Sequence, residues 1–244
     1  MSLSLRPLLG LALLSTPLLA QLAPTAPLVL RLPGGARAAG VGNAFTAGRG
    51  AEVIFYNPAQ IGILRGTTIS LARFGSSATQ GVLSTVGPFG KVAIGAGVQY
   101  LDYETPSGPD FFIRPALLPL GGQLPSSSLA ATVAASTRVK GIRVGVGVKY
   151  VQERVGSLDD GGLALDFGVA REVGRATVGL AVQNIGGGLD IRQVEFASLP
   201  TRVNLGVISP SIRLGSYFDL VVAAAVARER DGRKIGRASC RERV

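Results

Sequence analysis

The stretch Ile142-Arg-Val-Gly-Val-Gly-Val-Lys-Tyr-Val-Gln152 decides the fold. Large apolar residues occupy alternate positions: Ile142, Val144, Val146, Val148 and Tyr150. The positions between them hold Arg143, Gly145, Gly147 and Lys149. A period of two is that of a β-strand, whose successive side chains point to opposite faces. One face of this strand is therefore branched and apolar, whereas the other is small or charged.

A second strand, within 91–103, repeats the scheme, and a tyrosine (Tyr100 or Tyr150) ends each apolar row. A soluble sandwich would bury its large apolar residues and turn polar residues to solvent. Here the second face is mostly glycine with two cations. We therefore expect the apolar rows to face lipid, with the tyrosines at the membrane interface. The strand length fits the ~9–11 residues of a tilted transmembrane strand.

Seven further segments read as strands: 67–74, 80–86, 129–139, 163–171, 176–183, 201–209 and 218–227. Short turns at 87–90, 140–141 and 172–175 alternate with longer connections at 104–127, 153–162 and 185–200. This alternation predicts an up-and-down antiparallel sheet with the short turns on the periplasmic side and the long loops outside. The 104–127 insertion either carries recognition or folds onto the mouth of the sheet.

The two ends of the chain differ from the rest. Residues 1–20 have a basic start, an apolar centre and a small residue at Ala20, a pattern typical of a cleaved secretory signal. Residues 235–244 lack an apolar period and resemble a translated sequencing adapter. We expect this tail to be non-native and to add no strand. It contains Cys240, the only cysteine of the chain.

A well-defined turn precedes the first strand, at Phe55-Tyr-Asn-Pro-Ala-Gln-Ile61. Asn57 is suited to an N-cap, accepting a backbone N–H with its side chain, and Pro58 falls at the first helical position. Gln60 stands three residues after the cap, where it would reach back to complete a capping box. The simplest interpretation is a short, capped helix.

The context of that turn adds a family resemblance. A small-residue run with an arginine, from Gly34 to Ala47, is followed by Asn57-Pro58-Ala59. Together they resemble the N-terminal signature of PorV/PorQ-like outer-membrane proteins, relatives of the FadL fatty-acid transporter family. The segments 165–168, 182–186 and 199–200 resemble the family in weaker form.

The resemblance implies an all-β fold: an antiparallel transmembrane β-barrel, present here as about nine of fourteen strands. Residues 67–234 would form this partial barrel. Residues 21–66 would form a hatch-like plug whose turn motif is Asn57, Pro58, Ala59 and Gln60. The implied location is the bacterial outer membrane. The implied role is protein secretion of type IX kind, with outer-membrane lipid and exported cargo or secretion components as partners.

Two alternatives stay open. The first is a FadL-type transporter of hydrophobic small molecules such as fatty acids, and the second is a soluble secreted β-sandwich. In either barrel interpretation the glycine-rich face lines the lumen, and Arg143, Lys149 and Asp166 are candidate lumen-facing polar residues.

The composition argues against other function classes. The chain has no histidine, so no Ser–His pair, Cys–His pair or imidazole metal site is available. Its formal net charge is +10, but the cations are scattered at turns and strand ends without a basic helix or aromatic platform. We therefore expect no catalytic residues, no metal, no cofactor and no nucleic-acid partner.

Overall fold

The computed structural model describes residues 27–106, 123–189, 197–214, 218–229 and 234–243, and these are almost entirely β-strand. The strands are β1 Gly66–Phe74, β2 Ala78–Phe89, β3 Val92–Pro106, β4 Gln123–Val139, β5 Ile142–Val155, β6 Leu158–Val173, β7 Ala176–Gly186, β8 Gly188–Leu189, β9 Ala197–Ser198, β10 Arg202–Ile208, β11 Ile212–Leu214, β12 Phe218–Glu229 and β13 Lys234–Arg243. Before them lie the helix α1, Ala36–Gly40, and three 3-10 turns at Leu28–Leu30, Ala51–Phe55 and Pro58–Ile63.

One antiparallel sheet contains every strand except the small β8–β9 pair. Its order is β1-β2-β3-β4-β5-β6-β7-β10-β12-β11, and β13 also pairs with β12. The short β11 continues the pairing of β10 along β12, because Ile208 is opposite Ala223 and Ile212 is opposite Leu220. The all-β prediction and all nine predicted strands are confirmed, and each of these nine pairs with the next one along the chain.

The prediction of a long outer loop at 153–162 is wrong. Strand β5 runs to Val155, and β6 starts at Leu158 after a two-residue turn at Gly156-Ser157. Gly156 adopts a φ of 61°, which glycine tolerates without strain, and its N–H donates to the Pro125 carbonyl over 2.9 Å. The polar, glycine-rich composition of 153–162 suggested a loop. Pairing between strands, such as Gln152 opposite Gly161, uses only backbone groups, so this composition does not prevent it.

The prediction that the tail adds no strand is also wrong. Residues Lys234–Arg243 form β13 and pair with β12 in a regular register, with Ala238 opposite Ala224. The arginines at 237, 241 and 243 interrupt any apolar row. They do not prevent pairing, because an unpaired strand edge accepts the N–H and C=O groups of any extended chain. The 104–127 insertion was expected either to carry recognition or to fold onto the mouth of the sheet. Its first and last residues belong to β3 and β4, and residues 107–122 lie outside the described part of the chain.

The two faces of the sheet have opposite chemistry. The large apolar residues of β3 and β5 point away from the rest of the chain, and Val146 and Val148 are 43% and 49% exposed. The same holds for alternate residues of most other strands, among them Leu71, Leu83, Val133, Leu163, Phe167, Leu180, Leu205 and Val226. The predicted outward orientation of these rows is confirmed. The described residues contain no helix long and apolar enough to cross a membrane.

The opposite face of the sheet is covered by the N-terminal segment, which we define as residues 27–65. Its hydrophobic cluster includes Phe45, Ile54 and Phe55, together with Val82 and Ala134 from the sheet. Phe55 occupies space beside Gly97 on β3, while its carbonyl accepts a hydrogen bond from Gln183 on β7. Four strand spacings of ~4.8 Å separate β3 from β7. Because side chains stand roughly perpendicular to a sheet, one phenylalanine touches both strands only if the sheet curves around the segment.

Candidate functional site

The Asn57 turn is the point where the N-terminal segment is fixed to the sheet. The Asn57 side-chain oxygen accepts the Ala59 N–H over 3.0 Å, and Pro58 is the first residue of the turn, so the predicted N-cap is confirmed. The turn is a 3-10 helix, Pro58–Ile63. The Asn57 amide nitrogen donates to the carbonyls of Thr46 (3.1 Å) and Val169 (3.3 Å). One buried side chain therefore joins the turn, the preceding loop and strand β6.

Gln60 does not close the predicted capping box. The Asn57 N–H donates to the Val53 carbonyl over 2.8 Å, because the preceding 3-10 turn runs directly into the cap. The Gln60 side-chain oxygen instead accepts from Arg143 Nη2 over 3.0 Å. Gln60 thus binds a buried cation of the sheet rather than its own backbone.

Glycines on the inner face of the sheet leave space for the Asn57 turn. A Cβ on Gly145 of β5 would overlap the backbone of Pro58 and Ala59, and a Cβ on Gly168 of β6 would overlap Asn57 Oδ1. On β7, a Cβ on Gly179 would lie 2.7 Å from the Thr46 carbonyl oxygen. The glycine alternation was visible in the sequence. Its physical reason, the close approach of Thr46 and the Asn57–Ala59 turn to three adjacent strands, was not.

Lys149 and Asp166, two of the candidate lumen-facing residues, form a buried ion pair with a Nζ–Oδ2 distance of 2.9 Å. Asn184 on β7 joins them: its Oδ1 accepts from Lys149 Nζ over 2.8 Å, and its N–H donates to Asp166 Oδ1 over 2.7 Å. The β6–β7 register shifts between Leu165 and Phe167, so Asp166 lies at an irregularity that frees it to accept this backbone N–H. Asn184 has a φ of 57°, a conformation that asparagine tolerates better than most residues.

Arg143, the third candidate, is also buried on this face. It is ion-paired with the exposed Glu172 at 3.0 Å, in addition to its bond with Gln60. The three residues therefore share one face, as predicted, but they do not form one cluster. Lys149 and Asp166 are partners, whereas Arg143 binds the N-terminal segment.

Several inner-face residues were missed by the sequence analysis. Gln183 donates to the Phe55 carbonyl over 2.5 Å, and Asn204 on β10 donates to Gln183 over 2.6 Å. Arg202 pairs with the buried Glu229 of β12. The signal available in the sequence was the alternation in strands 176–183 and 201–209, which assigns every second residue to the inner face. It identifies the face, but not which polar residues bond each other.

Glu52 was missed for a different reason, because it lies outside the strands. It is buried in the N-terminal segment, accepts the Thr68 hydroxyl of β1 over 2.8 Å and lies 3.9 Å from Arg37. It ties the segment to the first strand. The segment is therefore fixed to β1 by Glu52 and to β6 by Asn57.

Tyr56 anchors the middle of the segment. Its hydroxyl accepts the Gly34 N–H over 2.7 Å and donates to Asn43, and its ring meets Phe45 edge to face at 5.5 Å. A cavity of about 20 Å³ adjoins it, lined by Asn43, Gln99, Lys149, Gln183 and Arg202 among others. This is room for about one water molecule. In the described part of the chain, the space between segment and sheet is filled by this polar group together with the hydrophobic cluster around Phe45 and Ile54.

The described residues contain no group of three or more histidine, cysteine or carboxylate side chains placed to hold a metal ion. The interface is instead suited to holding a segment of backbone against a sheet. No protein-family model matches the chain, and a search of curated proteins gave no significant match.

Proposed function

We propose that the chain is part of an outer-membrane β-barrel protein of the PorV/PorQ type, with the N-terminal segment as its plug. The observation that carries the proposal is the distribution of side chains on the two faces. Charged residues such as Lys149 and Asp166 are buried inside, while rows of valine, leucine and phenylalanine are exposed outside. Monomeric soluble proteins rarely expose contiguous apolar surface of this extent. A lipid-facing wall with a polar interior accounts for it.

A soluble β-sandwich would need a second sheet over the apolar rows. In the described ranges, the only other sheet is the two-stranded β8–β9 pair. In the proposed barrel the free edge of β1 pairs with a further strand, and so does the edge of β12 that the tail strand β13 occupies here, up to the fourteen strands that the family resemblance implies. Closure satisfies the edge N–H and C=O groups, each of which costs several kcal/mol when unpaired in hydrocarbon.

We favour a secretion-associated role over transport within this class. Small-molecule sites typically enclose ~300–1,000 Å³, whereas the described interior leaves a cavity of about 20 Å³ beside Tyr56. A plug held by Asn57, Glu52 and Gln60 suits a barrel that binds exported cargo or secretion components at its mouth. The FadL-type alternative, passage of a hydrophobic small molecule, requires the segment to leave its place.

The membrane assignment is tested by fractionation. The complete protein, with the further strands that close the proposed barrel, should appear in the outer-membrane fraction when expressed with residues 1–20 in a bacterial host, and should resist extraction by alkaline carbonate. Recovery as a carbonate-soluble periplasmic protein would overturn the assignment.

The role is tested in the source bacterium with the complete gene deleted. A secretion-associated protein predicts loss of exported proteins from the medium with normal uptake of labelled fatty acid, and restoration by the wild-type gene. Loss of uptake with normal export would favour the transporter instead. Two variants are then tested for restoring the lost activity: Asn57→Ala at the plug and Gly87→Ala on the outer wall. If the plug takes part in the function, Asn57→Ala should restore it less well than Gly87→Ala.

A further inference from the structure

We propose that the end of the sheet carrying the short turns is a binding surface for anionic phospholipid headgroups. This inference rests on the proposed membrane location. The surface, which we call the basic collar, consists of exposed cations at or next to the three turns and at the neighbouring strand ends: Arg65, Lys91, Arg138, Lys140, Arg171, Arg175 and Arg213.

The topology brings these residues to one end of the sheet. Lys91 follows β2, Lys140 follows β4 and Arg175 follows β6, so all three lie in turns at the same end of an up-and-down sheet. Successive turns on that end are two strands, or ~10 Å, apart. The collar thus places one cation at each of three regularly spaced turns.

The charge at this end is not balanced by carboxylates. Apart from the tail strand β13, the exposed or half-exposed carboxylates among the described residues there are Glu172, ion-paired with Arg143, and Asp219, 4.0 Å from Arg213. At the opposite end the exposed or half-exposed charges include the carboxylates Asp102, Glu104, Asp159 and Asp160 and the cations Arg73, Arg154 and Arg228. Among these described residues, the excess of positive charge is therefore confined to the short-turn end.

The apolar neighbours of the cations identify lipid as the partner. An exposed apolar side chain precedes each turn cation by one or two residues: Phe89 before Lys91, Val139 before Lys140 and Val173 before Arg175. These three side chains are 73%, 52% and 58% exposed. Binding of an acidic protein would require only the cations and would not explain the exposed apolar side chains beside them. Paired apolar and cationic groups suit the boundary between acyl chains and phosphate headgroups.

Arg171 shows the same transition within one strand. Phe167, Val169 and Arg171 are alternate residues of β6, and all three are exposed on the outer face. The apolar row therefore ends in a guanidinium group. A long side chain at this position keeps its stem along apolar surface and its charge at the headgroup level.

Spin-labelled lipids test the proposal with the complete protein reconstituted into phosphatidylcholine vesicles containing phosphatidylglycerol. Insertion is first established by resistance to carbonate extraction. The immobilised fraction of spin-labelled phosphatidylglycerol is then compared with that of spin-labelled phosphatidylcholine. One basic residue near an anionic surface raises the affinity for anionic lipid by up to roughly fivefold. Because most boundary lipids touch no collar cation, we expect an average preference of about twofold for phosphatidylglycerol over phosphatidylcholine.

Two matched triple variants locate the effect. The substitutions Lys91→Gln, Lys140→Gln and Arg175→Gln together remove three of the seven collar cations and should lower the preference from about twofold to about 1.5-fold. The substitutions Arg73→Gln, Arg154→Gln and Arg228→Gln, which remove three cations from the opposite end, should leave it unchanged. A wild-type preference of one with the protein inserted, or an equal loss in both variants, would overturn the collar alone. Failure to insert in either lipid would overturn the membrane assignment and the collar with it.

Discussion

Asn57 Oδ1 lies in the space that a Cβ on Gly168 would occupy. The two residues are 111 positions apart in the sequence, and the absence of a side chain at one permits the cap at the other. The same holds for Gly145 and the Pro58–Ala59 backbone. The Asn-Pro-Ala turn and the glycine-rich strands are therefore two halves of one interface.

Gly168→Ala is expected to displace the Asn57 turn. The added methyl group overlaps the cap oxygen, and overpacking of a close contact typically costs ~1–3 kcal/mol. The measurement is the midpoint of urea unfolding in detergent together with protease sensitivity of residues 27–65. Gly87→Ala is the control, because Gly87 is also in a strand but nothing lies within 4 Å of the position of an added Cβ. An equal effect of both substitutions would contradict the close fit of Asn57 against Gly168.

Asn57→Ala should cost more than the ~1 kcal/mol of an ordinary N-cap. It removes the bond from Ala59 and also leaves the Thr46 and Val169 carbonyls without this donor. A buried hydrogen bond contributes ~0.5–1.5 kcal/mol, so we expect a loss of about 2–3 kcal/mol, measured by urea unfolding in detergent. The substitution Asn57→Asp keeps the acceptor and loses the donors, and it should also lower the stability. Wild-type stability after Asn57→Asp would mean that the two donated bonds contribute little.

Val146→Arg and Val173→Arg make the same chemical change at two depths of the proposed membrane wall. Val146 lies within β5, whereas Val173 ends β6 at a turn. Arginine on the lipid face costs ~2–4 kcal/mol at mid-bilayer and ~0–1 kcal/mol near the interface, so unfolding in vesicles should separate the two variants by about 2 kcal/mol. In a water-soluble protein both exposed substitutions would be nearly neutral.

The sequence predicted the strands and their faces because a period of two is a local property. Val144, Val146 and Val148 needed no partner to be assigned to one face. The extra length of β5 and β6 was missed because Asp159, Asp160 and the adjacent glycines are typical of loops. Their pairing depends on backbone groups and on the partner strand, neither of which a composition reveals.

The inner-face bonds were less predictable. Gln60 was assigned to its own backbone, and the structure gives it to Arg143, 83 residues away. Lys149 and Asp166 were placed on the correct face, but their pairing depends on a register irregularity between β6 and β7. Such contacts are set by the relative positions of strands. A pattern within one strand does not contain that information.

A double-mutant cycle on Lys149 and Asp166 tests the buried ion pair directly. Removing one partner of such a pair typically costs ~3–5 kcal/mol, because the remaining charge is buried without compensation. We expect Lys149→Met and Asp166→Leu each to destabilise to this degree in urea unfolding. The double variant should be less destabilised than the sum of the two, because no uncompensated charge is left. Each single variant also removes one bond to Asn184: Lys149→Met removes the bond to its Oδ1, and Asp166→Leu removes the bond from its N–H. The double variant removes both, so these losses cancel in the coupling energy. Additive effects, with no coupling between the two positions, would show that Lys149 and Asp166 do not act as a pair.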